Sequence, residues 1–293
     1  MCACRPIGAN RRRIFLSLIQ IIMSDTPLSP AAARGPTRPG RPAVLDRDVM
    51  GGLEKGLAVI ECFGVERPRL TISEVARRTG LSRAAARRCL LTLMHLGYAR
   101  QDERHFLLTP KVMRLGQSYL YSARLPRALQ PQLQKIAMAM QEASSAGVLD
   151  GDDVISVAAA TAGRVVSSTL QPGTRVPAYC TANGRVLVAW LPAPERDAWL
   201  ARQDLRALTP RTLTDAASLR DELARVRAQG YALVDQEYEP GLRTVAVPLR
   251  NRLGDIECAM NVSVHAARVP IDELLDRCLP VLLQAQEELK PLF

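Results

Sequence analysis

The 293-residue chain is 47% hydrophobic and 23% charged, which excludes a collagen-like repeat, global disorder and a multispanning membrane protein; at ~100–200 residues per domain it suggests two domains. The formal charge of +10 is unevenly spread: seven arginines against one acidic residue in residues 1–45, 13 basic against 8 acidic in residues 46–122, and 19 against 20 thereafter. A basic front half on a neutral back half points to a polyanion met at one end only.

Taken in chain order, Arg11–Arg13 followed by the apolar run Ile14–Ile22 is similar to the start of a signal peptide, but no small-residue cleavage site follows. The run is about half the ~20 residues a membrane helix needs. Met23 opens a second start, Met-Ser-Asp-Thr, so an upstream misassigned start is the expectation and a targeting or anchoring segment the lesser alternative. With Pro27, Pro30, Pro36, Pro39 and Pro42 among Gly, Ser and Arg, residues 1–45 are expected as a disordered basic extension. The seven cysteines (Cys2, Cys4, Cys62, Cys89, Cys180, Cys258, Cys278) are odd in number and lack a CxxC, which fits reduced thiols in a cytoplasm rather than a disulfide framework. His95, His105 and His265 have no zinc-ligand spacing, so no metal and no cofactor is expected.

Leu53, Leu57 and Ile60 predict a helix stopping near Gly64. Thr71 and Glu74 form an S/T-x-x-E capping box that opens a second helix with Ile72, Val75 and Ala76 as its apolar stripe. Gly80 suits the left-handed position after it, and Ser82 caps a third helix, Arg83 to about Leu96, with Ala86, Leu90, Leu93 and Leu96 inward. Two short helices about a tight turn make a helix-turn-helix. Ser82, Arg83, Ala84 and Arg87 are then left facing solvent; small Ala permits close approach to base edges, and Arg reads guanine or neutralises phosphate. Arg88, and Arg77 or Arg78, suit phosphate better than bases. Tyr98–Arg100 and Phe106–Leu108, joined by Gln101–His105, read as a wing with Arg104 and His105 at its tip. For each Arg singly, a solvated surface charge is the competing reading.

Gly80-Leu81-Ser82-Arg83-Ala84-Ala85-Ala86-Arg87-Arg88-Cys89-Leu90-Leu91-Thr92-Leu93, the ending Leu96-Gly97-Tyr98 and the opening Leu53-Glu54-Lys55-Gly56-Leu57 resemble the IclR family of bacterial transcriptional regulators. The similarity continues through Pro172–Arg185 and Gly230–Pro248. The Ala-Tyr-Cys-Thr wording at Ala178–Thr181 and Gly-Leu-Arg-x-x-Ala-Val-Pro at Gly241–Pro248 are most similar to the branch controlling β-ketoadipate-type aromatic catabolism, which senses compounds such as protocatechuate or 4-hydroxybenzoate. The resemblance implies an α+β architecture: a winged helix-turn-helix, a linker helix, and an effector-binding domain with a curved antiparallel sheet, GAF- or profilin-like. The expected boundaries are 46–110, 111–144 and 145–293.

In the linker, Pro110 to about Arg124 reads as a helix broken by Pro126 and Pro131, with Pro131 opening another that carries Leu133, Ile136, Ala137 and Met140. It serves as a lever or dimer contact, or packs on its own domain. Beyond Gly147, Val154–Ala158, Val165–Leu170, Val245–Leu249 and Ile256–Val264 read as strands, and Thr181–Leu191, Pro194–Ala201 and Asp215–Gln229 as helices. In the last strand Ile256, Cys258, Met260, Val262 and Val264 alternate with Glu257, Ala259, Asn261 and Ser263. A solvent-facing polar side would account for that pattern. In the family, however, the corresponding strand lines the effector site, which makes Asn261 and Ser263 ligand contacts, with Leu242 and Thr244 in the Gly-Leu-Arg-Thr segment and Ala182–Asn183 where a helix opens. Helix N-terminal amides at Ala182–Gly184 suit a carboxylate. Arg243 is a second carboxylate candidate, against an ion pair with Asp235, Glu237 or Glu239; Tyr179 stacks on an aromatic ring or fills core. Val234 stands where some relatives carry an acid, which favours a more apolar effector.

These readings lead to a cytoplasmic, ligand-responsive regulator that is not an enzyme and is not membrane-bound. Its expected partners are a second copy or three further copies, an inverted-repeat duplex, and a small aromatic carboxylate, with a small aliphatic acid as the alternative. A thiol hydrolase with Cys180 as nucleophile and His265 as base lacks any supporting motif. A membrane-tethered or architectural DNA binder rests only on the first 22 residues and the basic tail.

Overall fold

The computed structural model describes residues 45–64, 67–162, 171–251 and 253–290, so the expected extension 1–45, except Leu45, and the expected strand Val165–Leu170 lie outside the described residues. The chain divides after Thr109 into two compact units. No described helix is long and apolar enough to cross a membrane.

The first unit contains α1 (Gly51–Glu61), β1 (Arg69–Thr71), α2 (Ile72–Thr79), α3 (Arg83–His95), β2 (Ala99–Asp102) and β3 (His105–Leu108). Local chemistry sets the boundaries. Thr71 Oγ1 accepts the Glu74 N–H while Glu74 Oε2 accepts the Thr71 N–H at 2.7 Å, completing the capping box. Gly80 ends α2 at φ 67°, a left-handed conformation that costs glycine little, and Ser82 Oγ accepts the Ala85 N–H at 3.2 Å to start α3. Val59, Leu70, Val75, Ala86, Leu90, Leu93 and Phe106 form the core, the Val, Leu and Phe side chains each worth ~1.5–3 kcal/mol when removed from water. Leu96, expected on the α3 stripe, is 48% exposed because the helix ends one residue earlier. The three strands order as β1-β3-β2, all antiparallel.

The second unit opens with α4 (Met113–Ser122) and α5 (Arg124–Met140), followed by β4 (Ala143–Asp150), β5 (Asp153–Ala160), β6 (Arg175–Pro177), α6 (Ala182–Ala189), α7 (Ala193–Ala201), α8 (Ala216–Gln229), β7 (Ala232–Asp235), β8 (Leu242–Arg250), β9 (Ile256–His265) and α9 (Ile271–Leu289). Neither proline breaks α5: Pro126 lies in its first turn, where the missing N–H has no partner anyway, and Pro131 is carried inside the helix. Burial of Leu129, Leu133, Ile136 and Ala137 offsets the lost hydrogen bond. Expectation and structure differ here, since Pro131 does not open a new helix.

The sheet is curved, antiparallel and ordered β6-β5-β4-β9-β8-β7. One face packs on α5 and α9 through Val245, Val247, Met260, Val262 and Val264. The other carries Ala246 and Ala259 against α6 and α8. Alternation in β9 is not strict. A register shift between Leu249 and Arg250 pairs Leu249 with Cys258 but Arg250 with Ile256, and Ile256 therefore packs with the α6 side rather than with Cys258 and Met260.

Candidate functional site

The α3 surface carries Ser82, Arg83, Ala84, Arg87 and Arg88, all exposed. Ser82 spends its hydroxyl on the cap. No acidic residue occupies the first turn of α3, so Arg83 sits at the positive end of the helix dipole, a placement that does not help the isolated helix and that a polyanion relieves. Ala84 keeps this end of the helix low enough for close approach. Between β2 and β3 the two-residue turn is Glu103–Arg104, with Glu103 at φ 51° and Arg104 exposed. His105 is not at that tip. It begins the central strand, opposite both Thr71 and Asp102, half-buried and near enough to Glu74 to favour its charged form.

In the second unit a cavity of about 60 Å³, with apolar walls and a few polar groups, lies between the sheet and the start of α6, several times the ~10–15 Å³ that one water requires. Its sheet side is built by alternation: Leu242 and Thr244 on β8, Asn261 and Ser263 on β9, Ser145 on β4, Val154 and Ser156 on β5. Thr244 and Ser263 stand opposite each other in register, hydroxyl to hydroxyl at 3.1 Å. Asn261 Oδ1 accepts from the Ser145 N–H at 3.2 Å and from the Ser145 hydroxyl at 3.1 Å. The roof is the Cys180–Asn183 segment, with Tyr238 beside it.

Every residue of α6 is buried, and the helix seats close because Gly184 leaves no Cβ where the Ala178 carbonyl would be 2.2 Å away. Gly147 likewise clears space beside Val154 and the Asn183 amide. Thr181 gives its hydroxyl to the Pro177 carbonyl instead of capping α6. The first-turn amides of a wholly buried helix thus have no side-chain cap. Asn183 Oδ1 and Ser156 Oγ, both buried, have no hydrogen-bond partner among the described residues. Unmet polar atoms of this kind cost ~1–3 kcal/mol each. The described lining holds hydroxyls, amides and a thiol but no Lys, Arg, Asp or Glu; an anion in it would be held by hydrogen bonds and the α6 dipole alone.

Two matches decide the family: residues 52–103 fit the IclR helix-turn-helix domain and residues 117–290 the C-terminal domain of bacterial IclR transcriptional regulators. The chain belongs to the IclR family. It is a DNA-binding transcriptional regulator with an effector domain. This IclR protein is 46% identical over 245 residues to the Pca regulon regulatory protein of Pseudomonas putida, covering 83% of this chain and 84% of that one. A transcriptional regulator of Rhodococcus sp. RHA1 is similar in structure, with TM-score 0.72 and 43% identity over 83% of this chain and 98% of the other. The inducer-binding domain of an Acinetobacter PobR double mutant, solved with 3-hydroxybenzoic acid, aligns at TM-score 0.55 and 31% identity, covering 57% of this IclR chain and 98% of the other.

Of the eight residues read from sequence as ligand contacts, the fold brings Ala182, Asn183, Leu242, Thr244, Asn261 and Ser263 around one cavity. Tyr179 and Arg243 are elsewhere. Tyr179 is core, its hydroxyl donating to the Arg206 carbonyl at 2.8 Å. Arg243 has the parity of Val245 and Val247, on the opposite face. Its Nε donates to Asp235 Oδ1 at 2.8 Å and its guanidinium to the Val269 carbonyl at 2.5 Å. Burial opposes the charge on Asp235, yet the hydrogen bonds from Arg243 and Gln236 and the nearby arginines hold its carboxyl below the usual range. Ser145, Ser156 and Tyr238 were not singled out in sequence. Ser145 had a signal only in its pairing with Asn261, which needs the register. Cys180 lines the cavity, but desolvation pushes its thiol up to about 12, far from a nucleophilic thiolate. His265 is not in the lining; its Nδ1 accepts the Ala267 N–H.

Proposed function

We propose that this regulator senses a small aromatic carboxylate in the cavity between β8, β9 and α6, and that occupancy changes its hold on an inverted-repeat operator. The observation that carries the reading is the pairing of an uncapped, buried α6 N-terminus with the unpartnered Asn183 and Ser156 atoms in an uncharged cavity. Val154, Val176, Val234 and Leu242 supply apolar walls for a ring, and the relatives bearing Pca and hydroxybenzoic acid in their names point to the same ligand class. Ala182, Asn183, Leu242, Thr244, Asn261 and Ser263 are proposed as ligand contacts. On the DNA side, Arg83, Ala84 and Arg87 are proposed to meet bases, and Arg88 and Arg104 phosphates. Residues 46–110, 111–144 and 145–293 would act as reader, linker and sensor in a cytoplasmic protein without catalytic activity.

The protein is proposed to act as a homodimer or homotetramer. Supporting this, α4 buries no residue of its own and leaves Met113, Leu115, Tyr119 and Tyr121 exposed around its circumference, apolar surface that another copy would cover. Two symmetric heads match two half-sites.

The test is a titration of full-length protein with 4-hydroxybenzoate, protocatechuate and small aliphatic acids, followed by thermal midpoint and operator affinity. A benzoate should raise the midpoint with concentration. Asn183→Ala and Ser156→Ala should each weaken its binding by roughly 2- to 12-fold, the range of one hydrogen bond. Stabilisation by an aliphatic acid alone would replace the aromatic reading, and unchanged titrations in both variants would remove the cavity from the account.

A further inference from the structure

A second cleft, about 450 Å³, lies in the first unit between β1 and α2. Its described lining includes Arg67, Arg69, Arg77 and Arg78 and a single carboxylate, Glu74. No residue of α3 or of the β2–β3 turn takes part, so this is not the reading face. Glu74, Arg77 and Arg78 stand at i, i+3 and i+4, on the side of α2 opposite the buried Val75 and Ala76. Glu74 is already committed: its Oε2 accepts both the N–H and the hydroxyl of Thr71 at 2.7 Å. Arg78 is the unexplained group. Its Nε is buried and has no hydrogen-bond partner among the described residues. A cationic donor withdrawn from water without an acceptor is costly, and folding alone gives no reason to keep it there.

We propose that the cleft between β1 and α2 is a phosphate-binding site, with Arg78 supplying its buried Nε–H and Arg77 and Arg69 neutralising charge at the mouth. A phosphate oxygen satisfies the orphaned donor, and the guanidinium fork matches phosphate geometry. Arg69, Arg77 and Arg78 over one held carboxylate in the described lining suit an anion. The same chemistry is offered by a DNA backbone phosphate flanking the operator contacts and by a free phosphorylated metabolite. The first source rests on the DNA-binding role of this unit; the second does not.

Two measurements on the full chain separate these sources, using the wild type, Arg78→Gln, Arg78→Lys and the exposed-position variant Arg77→Gln. The first is the salt dependence of binding to a random duplex. If DNA supplies the phosphate, the slope of log affinity against log salt falls by about 1 in Arg78→Gln and in Arg77→Gln, while Arg78→Lys keeps most of the slope. The second is the thermal midpoint in inorganic phosphate against chloride at equal ionic strength. If a free phosphate is the ligand, wild type gains a phosphate-specific rise that Arg78→Gln and Arg77→Gln lose, and the DNA slope stays put. General exclusion of phosphate from protein surface stabilises all four proteins alike and does not mimic that difference. Should Arg78→Gln fail to fold, Arg77→Gln decides. Equal slopes and equal phosphate responses in wild type and the folded variants would overturn the proposal.

Discussion

Arg185 carries its charge almost wholly out of water, 2% exposed on the buried helix α6. Its guanidinium forks onto Glu237 at 2.7 and 2.5 Å, its Nε donates to the Tyr179 carbonyl, and Glu222 lies 3.7 Å away. The pair ties the segment before the cavity roof to the loop that carries Tyr238. Arg185→Met should cost about 3–5 kcal/mol in urea denaturation, since Glu237 is left buried without its partner. Arg185→Met with Glu237→Leu should recover a large part of that, while near-unity cost for the single variant would mean water already reaches the pair. At the start of α2, Thr71→Ala should cost about 1 kcal/mol. The Thr71 hydroxyl and then its backbone N–H hold the Glu74 carboxyl below its ordinary range. A depressed folded-state value gives stability that is present above the usual carboxylate range and lost as pH falls through the lower folded value. The gap between wild type and Thr71→Ala should therefore narrow in acid, as read by thermal melts from pH 7 to 3, the part due to the Thr71 hydroxyl capping the Glu74 N–H remaining. Strand alternation put Asn261 and Ser263 on one face in the sequence, and the family resemblance, not the alternation, turned that face toward a ligand and added Thr244; the parity of β8 excludes Arg243 from the cavity, and of the two readings open for it the ion pair with Asp235 holds. Tyr179 was undecidable because its hydroxyl partner, Arg206, is 27 residues away.

Helix boundaries written in capping chemistry, as at Thr71, Gly80, Ser82 and Asp215, could be read residue by residue, and these elements match. Elements lacking local signals could not. β4 runs Ala-Ser-Ser-Ala-Gly-Val-Leu-Asp, without branched residues in its first half, and becomes a central strand only through pairing on both sides with β5 and β9. The shift between Ala146 and Gly147 and the one between Leu249 and Arg250 change side-chain parity without any sequence mark. Helix α9 was hidden by Pro280 in its interior, although Leu274, Cys278, Leu282, Ala285 and Leu289 repeat at helical spacing. The close seating of α6 gives a sharp element-scale test. Gly184→Ala places a methyl against backbone rather than a flexible side chain, so the helix must move. The expected cost is about 1–3 kcal/mol together with a weakened effector response. An unchanged melting point would show that α6 has slack against Ala178.

At the scale of the molecule, charge and chemistry are divided between two units. Net positive charge is concentrated up to residue 122, a stretch that includes the exposed basic helix α3, whereas the remainder is close to neutral and the described cavity lining holds no charged side chain. Coupling requires that a ligand favour one arrangement of the protein over another, and typical coupling of ~1–3 kcal/mol corresponds to a roughly 5- to 150-fold change in affinity. The division into two units was legible from length and charge counting; the proposed seat of the ligand was not, since its described lining is assembled from six strands and the segment that opens α6. The decisive measurement is the affinity of the full-length protein for duplexes from its own locus, across a salt series, with and without 4-hydroxybenzoate or protocatechuate. Binding should weaken steeply with salt and shift within that 5- to 150-fold range on adding the aromatic acid, and in Asn183→Ala the shift should need roughly 2- to 12-fold more acid while ligand-free DNA binding stays unchanged. Salt-insensitive binding, or a shift reached at the wild-type acid concentration in both Asn183→Ala and Ser156→Ala, would contradict that expectation.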